Sequence, residues 1–142
     1  MGIRDWLGSR SNKRAVAAGP SDEHPTALSA IGALMRAHVE AGDDGMWTTL
    51  TGAGNGKKAL IEVAGEDINF CTLEVDLPAL LRQSDLAAMA EGAHAGGRKH
   101  DDKSLWTIPG ATPEQLALII DAAFAGPCGL GPAYSVEGER HD

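Results

Sequence analysis

The sequence predicts an α+β domain in which helices cover an antiparallel sheet. Three consecutive runs rich in β-branched and aromatic residues are joined by very short connectors, which forces neighbouring strands to run antiparallel. Residues 26–41, and a second stretch that begins at Thr112, carry apolar residues at the three- and four-residue spacing of amphipathic helices. The predicted element order is α-βββ-α-β-α-β, a three-stranded meander followed by short later strands.

The first helix is predicted over residues 26–41, with Thr26 as its N-cap and Gly42 just past its end. Its spacing places five apolar side chains on the core face: Leu28, Ile31, Leu34, Met35 and Val39. His38 lies beside this stripe, and we interpret it as a packed or half-exposed side chain rather than a ligand.

The three strands of the meander are predicted at residues 46–51, 57–63 and 68–75. Asn55-Gly56 between the first two is a hairpin turn signal. The surrounding Gly-Lys sequence lacks the spacing of a phosphate-binding loop, so we assign it to this turn. Both sides of the third strand carry apolar groups, which predicts a central strand and suggests that another subunit covers the second face.

A second helix is predicted over residues 76–95, capped by Asp76 and interrupted at Ser84-Asp85. Its packed face is expected to hold Leu77, Leu80, Leu81, Ala87 and Ala88. A polar loop, a short strand at 104–109 and a final helix follow, and Thr112-Pro113-Glu114-Gln115 forms a capping box at the start of that helix. The last strand is predicted at 133–138.

Domain boundaries follow from composition. Residues 1–25 read as a flexible basic segment and linker, residues 26–136 as one domain, and residues 137–142 as a loose tail. Ile3, Trp6 and Leu7 would share one side of a helical turn beside Arg4. We weigh a membrane or partner anchor at these four residues against a frayed terminus.

Composition and charge exclude several classes of protein. The 142 residues are 43% apolar and 23% charged, and no apolar run approaches the ~20 residues of a membrane span. Arg4 and Asp5 break the first apolar stretch, so no signal peptide is expected and the predicted location is the cytoplasm. The net charge of -8 disfavours nucleic-acid binding by the folded part.

No reactive constellation is evident in the sequence, and we predict no catalytic residue, cofactor or metal ligand. The loop residues His94, His100, Asp101 and Asp102 are of types that bind metal ions, but the loop is rich in glycine and has no paired histidines one helical turn apart. Four carboxylates flank the meander and are expected on a solvated sheet face: Glu62, Glu66, Asp67 and Glu74.

The two cysteines, Cys71 and Cys128, form no C-x-x-C pair and have no histidine nearby in sequence. We interpret them as buried reduced thiols, and the sequence alone leaves a long-range disulfide open.

Residues 105–136 resemble the C-terminal signature of the TY-Chap family. The matching positions are Trp106, Pro109, Leu116, Ala117, Gly129 and Pro132, whereas Cys128 stands where an aromatic residue is expected. The element order also resembles that of type III secretion chaperones. This resemblance, over residues 26–136, implies a non-enzymatic, chaperone-like domain that binds a partner polypeptide and is often dimeric.

Two other functions remain open from the sequence. Small acidic α+β proteins include immunity and inhibitor proteins, in which acidic faces steer association with basic enzymes. A metal-binding protein or an enzyme that uses the 94–102 loop is the further alternative.

Overall fold

A computed structural model of the chain describes residues 13–17, 26–40, 47–71, 74–96 and 102–141. The described part has the predicted α+β fold, with helices packed on an antiparallel sheet. Its strands are β1 (Lys13–Ala17), β2 (Trp47–Gly54), β3 (Lys57–Ala64), β4 (Asp67–Asn69), β5 (His94–Gly96), β6 (Asp102–Thr107) and β7 (Ser135–His141). Its helices are α1 (Ala27–Glu40), α2 (Leu77–Gln83) and α3 (Pro113–Ala125), with a 3₁₀ turn at Ala87–Met89.

The seven described strands form one sheet in the order β1-β7-β2-β3-β4-β6-β5, and every neighbouring pair is antiparallel. The β2–β3 hairpin turns at Asn55 and Gly56, which have φ values of 52° and 71°. Two successive residues with positive φ match the right-handed twist of the flanking strands, as the Asn-Gly signal predicts. The meander is confirmed, and its third strand is interior to the sheet.

The core lies between one face of the sheet and helices α1 and α3. Alternating strand residues point into it, so that in β2 Leu50 faces the helices while its neighbours point away. Two glycines allow close approach here: a Cβ on Gly138 would lie 2.7 Å from Leu34 Cδ2 of α1, and one on Gly52 would lie 2.9 Å from Phe124 Cδ1 of α3. Helices α1 and α3 therefore pack directly against β7 and β2.

The predicted helix starts are confirmed. The Thr112 hydroxyl accepts a hydrogen bond from Gln115 N at 3.1 Å, and the Gln115 side chain accepts from Thr112 N at 2.9 Å. Asp76 Oδ1 accepts from Ala79 N at the start of α2. The apolar residues that recur at helical spacing in α3 are all buried: Leu116, Ile119, Ile120, Ala123 and Phe124.

Both ends of the domain were misplaced by the sequence analysis. Lys13–Ala17, predicted within a flexible linker, form β1. Glu139–His141, which follow the strand predicted at 133–138 and were assigned to the loose tail, complete β7. β7 pairs with β1 on one side and with β2 on the other, so its backbone groups are bonded on both sides. Val136 and Gly138 are buried and alternate with the exposed Ser135 and Glu137, and the charged residues Glu139 and Arg140 are half-buried.

The third strand of the meander is shorter than predicted, because it ends at Asn69. Asn69 Oδ1 accepts a hydrogen bond from Cys71 N at 2.7 Å, and Cys71 has a φ of 63°. This side-chain turn takes the backbone out of the extended conformation. The second helix also stops early, at Gln83, near the predicted break at Ser84-Asp85.

Two apolar assignments in the helices were wrong. Ala87 and Ala88, predicted on a packed face, are exposed in the 3₁₀ turn. In α1, Ile31, Leu34 and Met35 are buried as predicted, but Leu28 and Val39 are exposed. The buried face of α1 is therefore shifted from the predicted stripe, since it includes Ala27, Ala30 and His38 in place of Leu28 and Val39.

Candidate functional site

A groove of about 310 Å³ runs between α1 and α3 on the side facing away from the sheet. We call it the α1–α3 groove. Its lining residues are Leu28, Ser29, Gly32 and Arg36 from α1, and Glu114, Ala117 and Leu118 from α3.

The walls of the α1–α3 groove are mainly apolar. Leu28 is 36% exposed and Leu118 is 40% exposed, although a leucine on a packed helix is more often covered. Gly32 is buried and has no side chain to fill the space, and the nearest atom to a Cβ there would be Arg36 Nη1 at 3.4 Å. The groove is therefore open to solvent and mainly apolar.

One ion pair crosses the groove. Arg36 Nη1 lies 3.9 Å from Glu114 Oε1, and the two side chains are 52% and 65% exposed. At this exposure the pair contributes little to stability, on the order of 0–1 kcal/mol. Both charges are accessible to a bound molecule.

The opposite face of the sheet carries a buried polar group of residues, which we call the sheet cluster. It consists of Trp47, Thr49, Glu62, Cys71 and His141, contributed by β2, β3, the turn after β4, and β7. Trp47 and Glu62 are fully buried and His141 is 3% exposed. The burial is confined to one end of this face, because Ser135 and Glu137 of β7 are exposed farther along it. The expectation that a second subunit covers the face stays a prediction.

Hydrogen bonds join the members of the sheet cluster. The Thr49 hydroxyl donates to Glu62 Oε2 at 2.9 Å and lies 3.0 Å from His141 Nε2. The imidazole of His141 stacks on the ring of Trp47, with centroids 4.7 Å apart and an interplanar angle of 19°. The Cys71 thiol points to Glu62 Oε1 at 3.9 Å.

Burial sets the protonation states in this cluster. Desolvation raises the pKa of Glu62 above its usual value, and the hydrogen bond from Thr49 only partly offsets this effect. Desolvation, followed by the negative charge of Glu62, raises the pKa of Cys71 to about 12. Because the thiolate is the nucleophilic form of cysteine, this thiol is a poor nucleophile at neutral pH.

Both cysteines are half-buried and free in the structure. Burial also raises the pKa of Cys128. Neither residue is fully buried, so the expected burial is only partly met, and the reduced state of the two thiols stays a prediction.

The carboxylates predicted on a solvated sheet face do not share one environment. Glu62 is fully buried, Asp67 accepts a hydrogen bond from Thr107 Oγ1 at 2.6 Å, and Glu66 accepts from Gly110 N. Glu74 is exposed beyond the end of β4. The expectation was wrong for Glu62, which faces away from the helices yet is covered.

The described residues give little support to the hypothesis that the 94–102 loop binds a metal ion. His94 is exposed in β5 and hydrogen-bonds through Nδ1 to the Gly92 carbonyl, and Asp102 begins β6. His100 and Asp101 lie outside the described residues. Within the described ranges, no group of three or more His, Cys, Asp or Glu side chains is arranged to hold a metal ion.

The N-terminal anchor hypothesis concerns residues that the structure does not describe, since Ile3, Arg4, Trp6 and Leu7 precede Lys13. Of the helices that are described, none is both long and apolar enough to cross a membrane.

Sequence reasoning missed both sites. Leu28 was assigned to the core face of its helix and nothing was predicted for Leu118, and only the packing of α1 beside α3 leaves a space between them. His141 was assigned to a loose tail, so its stacking on Trp47 had no signal in the sequence.

The fold and these two sites define an antiparallel α+β protein with an open apolar groove on its helical layer and a covered polar cluster on its sheet. Comparisons with protein-family models, curated proteins and solved structures found no significant match to this chain.

Proposed function

We propose that the chain is a non-enzymatic, chaperone-like domain that binds a segment of a partner polypeptide in the α1–α3 groove. The exposed apolar walls of that groove carry the proposal. Three large apolar side chains are exposed among the described residues, and two of them, Leu28 and Leu118, line the groove.

The apolar surface of the groove supplies a driving force for binding. Covering the exposed parts of Leu28 and Leu118 is worth on the order of 1 kcal/mol for each side chain. A partner that also fills the space above Gly32 gains dispersion contacts with both helices. Exposed apolar surface of this kind is typical of protein interaction sites.

The ionisable groups of the sheet cluster favour a binding role over a catalytic one. Glu62 and His141 are buried, and the Cys71 thiol stays protonated at neutral pH. The resemblance of residues 105–136 to the TY-Chap family points to the same class of function. The described part of the chain keeps the predicted element order, with the meander between α1 and α2, and adds two strands to it, β1 and β5.

Site-specific photo-crosslinking tests the proposal. A photoreactive residue replacing Leu118 is expected to crosslink a polypeptide in cells, whereas the same residue replacing Val39 is not. Val39 is the matched control, because it is an exposed apolar residue on α1 that does not line the groove. Identical products from both positions, or none from Leu118, would contradict the proposal.

A second measurement connects the crosslink to binding strength. The crosslinked segment, made as a peptide, should bind Leu118→Ser at least about fivefold more weakly than the unaltered chain. Val39→Ser should leave its affinity within about twofold. Equal losses for the two variants would mean that the groove is not the binding site.

A further inference from the structure

We infer that an exposed part of the edge of β3, from Lys57 to Ile61, binds an acidic segment of a partner polypeptide as an added strand. We call this part the open edge. It includes no residue of the α1–α3 groove, and the inference does not depend on the proposed function. Two observations carry it: backbone groups that have no hydrogen-bond partner in the described part of the chain, and a local positive charge on an acidic protein.

The open edge exists because β4 is much shorter than β3. β2 pairs with β3 along seven residue pairs, whereas β4 pairs with only the last three residues of β3. β4 ends early because Asn69 Oδ1 accepts a hydrogen bond from Cys71 N, and Cys71 has a φ of 63°. This turn takes the chain out of the sheet, so among the described residues the open edge has a neighbouring strand on one side only.

Two hairpins fix which backbone groups of the open edge point outward. Asn55-Gly56 is a two-residue turn, so Lys57 belongs to the hydrogen-bonded pair that closes it, and every second residue after Lys57 bonds to β2. Lys58 and Leu60 therefore turn their N–H and C=O groups away from β2. The β3–β4 hairpin has the same phase, since Ala64 closes its two-residue turn. Within the described ranges, no hydrogen bond reaches these outward groups of Lys58 and Leu60.

The outward backbone groups favour an extended occupant. An added strand supplies N–H and C=O groups at the spacing of the edge, whereas a helix has already bonded its own. The open edge is roughly 14 Å long at ~3.4 Å per residue, which accommodates four or five residues. A strand that continues the direction of β4 meets Leu60 first and Lys58 two residues later. Both side chains lie on the sheet face away from the helices, opposite to the buried Ile61.

The charge at the open edge favours an acidic occupant, although the chain as a whole has a net charge of -8. Residues 51–61 and 122–136 contain no charged residues except Lys57 and Lys58. These two segments are in contact, because the Asn55 amide donates to the carbonyl of Gly129 at 3.3 Å.

The two lysines are available to a partner. Both are exposed, and in the described part of the chain neither forms an ion pair. Charges more than about 8 Å away are largely screened at physiological salt, so Lys57 and Lys58 dominate the interaction at the open edge. The bound strand therefore has an apolar residue against Leu60 and acidic residues against the lysines.

Two dye-labelled peptides test the charge of the added strand. Both have the sequence Thr-Val-Thr-X-X, where X is glutamate in one peptide and lysine in the other. The valine is placed against Leu60 and the first X against Lys58. In fluorescence polarisation we expect the glutamate peptide to bind the full chain at least about tenfold more tightly. Tighter binding of the lysine peptide, or binding of neither, would overturn the inference; the lysines would then only protect the edge from aggregation.

Methylation of peptide nitrogens tests whether the peptide binds as a strand. The N–H of the first glutamate faces Lys58 in the expected register, whereas the N–H of the preceding threonine points away from β3. An N-methyl group on this glutamate is expected to weaken binding at least about tenfold, and one on the threonine less than about threefold. Equal losses for the two peptides would overturn binding by strand addition.

Substitutions in the chain locate the site. Lys58→Glu is expected to weaken the glutamate peptide at least about tenfold. Arg82→Glu makes the same change of charge at an exposed position of α2 and should alter the affinity less than about twofold. Leu118→Ser in the α1–α3 groove should also leave it within about twofold, so this inference and the proposed function fail separately. Equal losses for Lys58→Glu and Arg82→Glu would show attraction by net charge alone and would overturn the inference.

Sedimentation velocity tests the other occupant of a strand edge, a second copy of the chain. We expect the unaltered chain and Lys58→Glu to sediment with the same mass. A dimer of the unaltered chain that Lys58→Glu converts to a monomer would show that a second copy covers the open edge, and would overturn the inference.

Discussion

Thr49 and Glu62 lie directly opposite each other on β2 and β3, and the Thr49 hydroxyl donates a 2.9 Å hydrogen bond to Glu62 Oε2. The pair sits on the sheet face away from the helices, yet Glu62 is fully buried. A buried carboxyl depends on such donors, because burial removes the water that would otherwise bond it.

Replacing Thr49 by valine keeps the shape of the side chain and removes this donor. We expect Thr49→Val to lower the free energy of unfolding by about 1–3 kcal/mol, since a buried polar group loses a partner. Thr51→Val is the control, because Thr51 lies two residues along the same strand and is only half-buried. Urea denaturation checks both variants, and equal losses would contradict a specific role for the Thr49–Glu62 bond.

Glu62 makes stability depend on pH with a defined sign. Its pKa in the folded protein is raised above the ordinary value of 4.5 by burial. The favourable contribution of Glu62 is therefore complete below about pH 4.5 and is lost as pH rises through the raised pKa. Glu62→Gln should gain stability relative to the unaltered chain as pH rises over this range.

Thermal denaturation at a series of pH values from 4 to 8 measures this difference. Glu91→Gln is the control, because Glu91 is an exposed carboxylate in a turn. A stability difference between Glu62→Gln and the unaltered chain that stays constant across the series would show that Glu62 is not the group responsible.

The Cys71 thiol should react slowly in the folded protein. Raising its pKa from 9.0 to about 12 lowers the thiolate fraction at pH 8 roughly a thousandfold. In a Cys128→Ser variant, alkylation of Cys71 by iodoacetamide should be slow in buffer and fast in denaturant. Mass spectrometry follows the reaction, and equally fast labelling in buffer would refute the prediction.

His141 should contribute to stability although it lies in a strand predicted as a loose tail. His141→Ala removes the stacking on Trp47, worth about 0.5–1.5 kcal/mol, and a hydrogen-bonding partner of Thr49. We expect a total loss of about 1–3 kcal/mol. His94→Ala, at an exposed position of β5, should cost less than about 0.5 kcal/mol. Similar denaturation midpoints for the two variants would contradict the packing of His141.

Gly54 should not tolerate a side chain. A Cβ at this position would collide with the backbone carbonyl oxygen of Leu130 and lie 3.0 Å from Tyr134 Cβ. Gly54→Ala is expected to cost about 1–3 kcal/mol because backbone has to move. At Gly92 the nearest atom would be 3.8 Å away, so Gly92→Ala should be nearly neutral in the same thermal denaturation assay. A neutral Gly54→Ala would show that the turn before β7 is easily displaced.

Local signals in the sequence predicted the elements whose structure is determined locally. The Thr112–Gln115 capping box, the Asn55-Gly56 turn and the Asp76 cap each act over a few residues, and each lies where it was predicted. The stripe of α3 was also correct, because this helix is apolar on the face that meets the sheet.

Elements that depend on distant partners were not predictable in this way. β1 has a single β-branched residue, Val16, and exists through its pairing with β7, more than 100 residues away in the sequence. The α1–α3 groove depends on the separation between two helices, which no local pattern of Leu28 or Leu118 encodes. The α1–α3 groove could therefore be identified only from the structure.

The position of β7 between β1 and β2 constrains how the chain folds as it is translated. The hairpin of β2 and β3 leaves the ribosome long before residue 141 does, and until then the β2 edge and the apolar residues above it are uncovered. A nascent chain in this condition is prone to aggregation, since unpaired strand edges recruit other chains. Only the addition of β7 pairs the edge of β2 and connects β1 to the rest of the sheet.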